Sequence, residues 1–402
     1  MEFNKSWNEY ILYDLANWKN GLAFKDINFS NKGKPIIKIA ELKNGITEQT
    51  KYTDGDYGEE VYLRKNDLIF SWSGNPKTSI DAFLYDLPEG YLNQHSFKIT
   101  EKKEVVAKYF LYYVLKYLNP MFQSIASDKQ TTGLGHVTIA DLKKIKVRIP
   151  DLEVQYKILN IVKNIDDKIY NNNQINDNLS EITNKLYEQF FIEERQEDWK
   201  EYNLQELMEI SNGYSYTGKE LVDESTIGMA TIKNFERTGG FKENGFKDIE
   251  PLKAKENHYV DKFDILVACT DLTQNADIIG NAVMLLNTGK YENVVLSMDL
   301  VKVLPKRNKY LIFSILNSKE FKNFALGYKT GTTVLHLNKN CFKDFNIKLP
   351  EQNKIEQFEK VVEVNYKKIS SNLEQNNVLT QLRDTLLPKL MNGEIDLDKI
   401  EI

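Results

Sequence analysis

Two kinds of polar segment in this 402-residue chain carry residue types suited to chemistry, and each occurs twice. SDKQTTGLGHVT (127–138) is answered by GYKTGTTVLHLN (327–338), and SWSGNPKT (71–78) by ACTDLTQN (268–275). The first pair offers Lys129, Gln130, Thr131, Thr132 and His136 in one copy and Lys329, Thr330, Thr332, Thr333 and His336 in the other. Thr hydroxyls, Lys ammonium groups and backbone N–H groups are typical phosphate contacts, and glycine lets a backbone approach closely. In the second pair, each copy follows a β-like run. Gln274 and Asn275 carry the amide geometry that reads adenine edges, and Lys77 can meet a phosphate or a guanine. Arg64 and Arg237 suit bidentate guanine contacts, Arg148 less so because it sits at a strand-like junction. The competing reading is a set of solvated loops with a capping His, and it remains open for each residue taken singly.

Signatures of intrinsic catalysis do not stand out. None of the nine prolines are adjacent, which removes the [DNS]PP[FYW] signature of adenine methyltransferases. GYSYTGKE (213–220) approaches a phosphate-binding GxxxxGK[ST] loop, but Glu220 stands where a metal-liganding hydroxyl is needed. Its repeat partner GLAFKDIN (21–28) lacks the second glycine, so the segment reads as a turn. GxSxG and HExxH are missing, and TGLG (132–135) is a lone Gly-x-Gly. The expectation is a chain without an active site, metal or cofactor of its own.

The elements that position these loops are themselves duplicated. WNEYILYDLANWKNG (7–21) aligns with WKEYNLQELMEISNG (199–213), pairing Trp7/Trp199, Leu12/Leu204, Leu15/Leu207, Asn20/Asn212 and Gly21/Gly213. KNDLIF (65–70) aligns with KFDILV (262–267), and KKIKVRIP (143–150) with KDFNIKLP (343–350). VQYKI (154–158) then answers EQNKI (351–355). The chain is a tandem duplication.

In each copy, short β-like runs such as KPIIKIAEL (34–42), DLIFSW (67–72) and DILVAC (264–269) mix with one helical stretch, 105–118 or 308–326, giving an α+β domain. The opening Trp7 and Trp199 read as lids on the two cores.

The segments after Pro150 and Pro350 differ in kind. Ile158, Ile161, Ile165, Ile175, Leu179, Ile182 and Leu186 form one heptad stripe. Ile355, Phe358, Val362, Ile369, Leu373, Leu379, Leu382 and Leu386 form the other, with Pro388 marking its end. Two such helices satisfy each other most simply as an antiparallel coiled-coil pair, and ~35–40 residues of helix span ~50–60 Å. The polar run YNNNQINDN (170–178) interrupts the first stripe, as a hydrophilic break or a partner-docking surface. The expected layout is an α+β domain at 1–150, a spacer helix at 151–198, a second domain at 199–350, and a second spacer helix with tail at 351–402.

Composition limits the setting. A 41% hydrophobic and 28% charged sequence folds, and no run of ~18 apolar residues crosses a membrane. Two cysteines and four histidines build neither a zinc cluster nor a disulfide framework, and the reducing cytoplasm is the expected location. The net charge of −5 argues mildly against nucleic acid, but the acidity is concentrated in the two spacer segments.

This layout resembles the DNA-specificity (S) subunits of type I restriction–modification systems, over essentially the whole chain. The resemblance rests on the tandem plan, the W-x-E-Y-x-L-x-x-L starts, the junctions IPDLEVQYKI (149–158) and LPEQNKIEQF (349–358), and LLPKLMNGEI (386–395). The chain departs from the pattern where Gln155 lies farther from Pro150 than Gln352 does from Pro350. The resemblance implies two target-recognition domains, each reading one half of a bipartite, gapped site in double-stranded DNA. It implies two docked N6-adenine methyltransferase subunits bringing S-adenosylmethionine, and motor-nuclease restriction subunits bringing ATP and Mg. The rival readings are a non-DNA scaffold with two binding modules and a self-contained nuclease or methyltransferase with drifted motifs.

Overall fold

The computed structural model describes residues 7–130, 133–237, 239–271, 276–332, 334–395 and 397. Contacts divide the chain into two units, Met1–Asp167 with Thr380–Ile402, and Lys168–Leu379. The division falls inside both long helices, so each unit owns one globular domain and a piece of each helix.

In the first unit, strands Ala16–Asn20, Ser96–Glu101, Leu68–Ser71 and Asp81–Leu84 form an antiparallel sheet in that order. A second sheet runs Tyr52–Thr53, Lys34–Ile37, Gly90–Leu92, Tyr62–Leu63, with a parallel pair at its centre. Asn8–Ile11 pairs with Lys146–Ile149, joining the two ends of the domain. The second unit repeats the plan. Met208–Asn212, Leu300–Pro305, Ile265–Ala268 and Ala282–Met284 make one sheet; Lys247–Asp248, Ile227–Ala230, Asn293–Leu296 and Tyr259–Val260 make the other, again with a central parallel pair. Lys200–Asn203 closes against Asn346–Leu349.

Matched local devices explain why two diverged sequences fold alike. The turn before each central strand puts a non-glycine residue at positive φ, Asn66 at 68° and Phe263 at 71°. The next residue, Asp67 or Asp264, accepts the backbone N–H of Arg64 or Asp261 at 2.8 Å. That same carboxylate meets Lys98 at 3.0 Å or Lys302 at 2.5 Å. Gly21 and Gly213 are obligatory for a different reason. A Cβ there would lie 2.2 Å from Asn93 O or 2.0 Å from Ser297 O.

Several sequence expectations need correction. KPIIKIAEL is a strand only over Lys34–Ile37; Ile39–Asn44 is helical, capped by Glu41 on Lys38 N–H and ended by Gly45 at φ 75°. The stretch 105–118 holds one helix, Lys108–Tyr117, followed by a further helix Asn119–Asp128, while 308–326 divides into Lys309–Asn317 and Lys319–Leu326. Trp7 and Trp199 do pack, half-buried, on the edges of their cores.

The first long helix covers Leu152–Tyr187 and the second Gln352–Met391, running through Pro388 rather than stopping at it. Partners descend on one helix as they ascend on the other: Asp166 with Arg383 in the first unit, and Asn172 with Asn376, Asn176 with Asn372 and Thr183 with Asn365 in the second. The pair is antiparallel. Its seam in the second unit is polar. Asn172 is fully buried and donates to Gln375 Oε1 and Asn376 Oδ1, both at 2.8 Å. The asparagine run is thus a hydrogen-bonded layer inside an unbroken helix, and Ile175 and Ile182, expected in the seam, are 39% and 48% exposed. Leu382 is likewise exposed at 45%.

The junction alignment also shifts. The helices begin at Leu152 and Gln352, so the offset stays at the value set by the preceding strands, and Gln155 corresponds to Ile355 rather than Gln352. A slip of three residues nearly preserves the face of a helix, which is why VQYKI seemed to answer EQNKI.

Candidate nucleic-acid interface

The two kinds of polar segment meet in space, in the same way in both units. Ser73–Gly74 pairs with Gly135–His136, and Thr270–Asp271 pairs with Leu335–Leu337. His136 faces Ser73 and His336 faces Thr270 in these ribbons. A third piece of chain completes each frame. Trp72 N–H donates to His95 O at 3.2 Å and Val137 N–H to Trp72 O at 2.9 Å; Cys269 N–H donates to Asp299 O and Leu337 N–H to Cys269 O, both at 2.8 Å. Gly21 N–H reaches Ser96 O and Gly213 N–H reaches Leu300 O, binding the Asn-Gly corner to the same edge.

On this shared backbone the side chains differ. In the first unit Ser73 Oγ and His136 Nδ1 share a 2.9 Å hydrogen bond, and Trp72 Nε1 donates to Asn20 Oδ1 at 2.9 Å. The Trp72 ring stands between His95 and His136, each centroid 5.9 Å away, and stacks on Phe97. Burial and the neighbouring His136 charge hold the His95 pKa below its ordinary value. In the second unit Thr270 Oγ1 donates to Asp299 Oδ1 at 3.0 Å, leaving the His336 ring exposed, and Lys339 Nζ donates to Asn212 Oδ1. Cys269 replaces the tryptophan. It is buried, and burial raises its thiol to about 12, so it packs rather than reacts.

The candidate residues distribute unevenly over this edge. Lys77 is exposed in the first turn after Asn75, whose side chain caps Lys77 N–H and Thr78 N–H. Lys129 closes on Asp141 at 2.5 Å, and Gln130 is exposed beside it. Burial pushes the Asp141 carboxyl up, but the hydrogen bonds from Lys129 and Thr138 reverse this and hold it below its usual value. Lys329 and Thr330 are exposed on a third strand paired with Leu335–Leu337, and Thr330 Oγ1 donates to His336 O. Thr332 is exposed just past Gly331, which has φ 99°. Thr131, Thr132, Gln274, Asn275 and Thr333 lie outside the described residues.

The two arginines are elsewhere. Arg64 forms a bidentate pair with Glu59 and lies over the Tyr62 ring, 4.7 Å from its centroid, so its fork is already engaged. Arg237 is exposed on the turn Glu236–Gly240. That turn borders a cavity of about 1000 Å³ shared with the first long helix and Lys319–Lys322, not the ribbon. Sequence reasoning missed His95, Asp299 and the role of the Asn-Gly corners. Asn20/Asn212 was visible as a repeat match, while His95/Asp299 lies in a turn whose residues have all diverged.

The near-miss GYSYTGKE is structural. Glu220 accepts from Tyr214 Oη at 2.6 Å and from Thr217 N–H and Oγ1, so its carboxylate is spent closing a short turn.

A family model for the type I restriction modification DNA specificity domain matches residues 4–181 and again 196–380. The chain belongs to this family. The role this family model names is DNA specificity. The chain is 23% identical to the HindI specificity subunit of Haemophilus influenzae, covering 97% of this chain and 99% of the relative. It is 24% identical to the MjaIX specificity subunit of Methanocaldococcus jannaschii, covering 91% and 94%. The fold is also that of a type I S subunit crystal structure from M. genitalium, with a TM-score of 0.57 at 16% identity over 97% of this chain and 98% of that one. Among the described residues, no helix is long and apolar enough to cross a membrane.

Proposed function

We propose that this specificity subunit reads a bipartite, gapped site in double-stranded DNA, one half-site per unit. The carrying observation is that the two units present one hydrogen-bonded backbone frame with different side chains on it. Matching frames hold corresponding positions in each unit, while His95 against Asp299 gives the two edges different donor and acceptor patterns. Phosphate contacts come from the exposed Lys77, Lys329 and Thr330, which fix register without carrying sequence information.

The partners follow from the same reading. Ile175 and Ile182 on the first helix, and Val361, Val364 and Val378 on the second, are exposed apolar side chains. On this reading the exposed apolar positions of the two helices are where two N6-adenine methyltransferase subunits dock. Those subunits supply S-adenosylmethionine, and motor-nuclease restriction subunits supply ATP and Mg chemistry; the assembly works in the cytoplasm on host DNA. With a net charge of −5, this chain leaves much of the phosphate neutralisation to its partners.

The test is single-molecule methylation sequencing of host DNA with this gene present and deleted, in a strain expressing the methyltransferase partner. Loss of N6-methyladenine from one gapped, two-part motif on deletion is the expected result. Unchanged methylation would overturn the reading.

A further inference from the structure

In each unit one four-residue turn from a separate part of the chain hydrogen-bonds to the ribbon edge through its backbone. It is NQHS at 93–96 in the first unit and SMDL at 297–300 in the second. Backbone hydrogen bonds in the two turns coincide: Ser96 N–H to Asn93 O, Leu300 N–H to Ser297 O, and the carbonyls of His95 and Asp299 accepting from Trp72 and Cys269. All four residue identities differ. The backbone bonds of the frame use the carbonyls of His95 and Asp299, so those bonds do not depend on which side chain stands there.

Those side chains are chemically complementary to base edges. His95 is exposed beside Trp72, and its ring N–H is a donor suited to the N7 or O6 acceptors of a purine. Asp299 is half-buried, and its carboxylate receives Thr270 Oγ1 at 3.0 Å. A carboxylate has about four acceptor directions, so one fixed hydroxyl orients it while leaving capacity for an exocyclic amino group. Cytosine N4 is the usual partner of an acidic side chain in the major groove.

We propose that the turns 93–96 and 297–300 are specificity-determining elements, with His95 reading a purine acceptor in one half-site and Asp299 reading a base amino group, cytosine foremost, in the other. The shared frame presents position 95 and position 299 equivalently, and the difference between them makes the two half-sites different. Thr270 is a positioning residue for Asp299. This inference rests on the bipartite-site reading.

The experiment expresses the intact complex with wild-type chain, His95→Ala, His95→Gln, Asp299→Ala or Asp299→Asn, and reads the methylated motif by single-molecule sequencing, with copurification of the methyltransferase as the assembly control. Each His95 variant is expected to relax one position of one half-site, and each Asp299 variant one position of the other. Discrimination at that position should fall roughly 5- to 100-fold. A wild-type complex without a gapped motif would remove the bipartite reading before the variants are considered. Given a wild-type motif, the proposal is overturned if the variants leave it unaltered, if one variant alters both half-sites, or if an assembled variant complex loses methylation at every site alike. Failure of both the His95 or both the Asp299 variants to assemble would make that turn structural and overturn it as well.

Discussion

Gln155 shows how one side chain fastens a domain to its helix. It is fully buried; its Oε1 accepts from Ala107 N–H at 2.9 Å, and its Nε2 donates to Val105 O and Pro150 O at 2.8 and 2.9 Å. Three backbone groups, two of them in buried hydrogen bonds, depend on one amide. Gln155→Ala should therefore cost roughly 2–4 kcal/mol, read as a lowered thermal transition of the chain in its complex. Gln352, at the other junction, is exposed and bonds Asn308 and Glu356 at 3.3–3.4 Å. Gln352→Ala should stay within about 0.5 kcal/mol of wild type. Equal losses at both positions would contradict the assignment of Gln155 as the fastening residue.

At the scale of elements, the helix pair trades apolar packing for specification. Asn372 Nδ2 donates to Asn176 Oδ1 at 2.8 Å, with both residues buried. Asn376 reaches Asn173 in the same way, and Asn365 reaches Thr183. A slipped register would strand these amides, whereas an all-leucine seam would tolerate slippage. Asn372→Leu alone leaves the Asn176 amide buried and unpaired and should cost about 1–3 kcal/mol. Adding Asn176→Leu should recover most of that loss. A double-mutant cycle on thermal unfolding measures the coupling, and simply additive losses would mean the amide pair does not act as a unit.

For the whole molecule, the duplicated boundaries make recognition modular. Residues 199–350 begin and end on the paired strands Lys200–Asn203 and Asn346–Leu349, as residues 1–150 do on Asn8–Ile11 and Lys146–Ile149. Replacing 199–350 with the matching domain of another family member should change one half-site of the methylated motif and leave the other intact. Sequencing of methylated host DNA reads the outcome directly. A motif altered in both halves would show that recognition is shared across the units.

The sequence by itself determined the duplication, the strand framework and the existence of two long helices, because these are written in local spacing: Trp-to-Leu intervals, β-like runs before polar loops, and apolar recurrence after each proline. It also marked 127–138 with its repeat 327–338, and 71–78 with its repeat 268–275, as loops of interest. Tertiary structure alone decided that within each unit the two kinds of loop join in one ribbon, 71–78 with 127–138 and 268–275 with 327–338, since pairing over more than sixty residues leaves no local trace. It also decided the helix seam. The sequence offered Ile175 and Ile182 on a stripe interrupted by the polar run 170–178, but Asn172 and Asn176 hydrogen-bond across the interface and take the buried face instead. Apolar periodicity cannot foresee this, because a buried amide is tolerated only when its partner is present, and that partner lies about two hundred residues away.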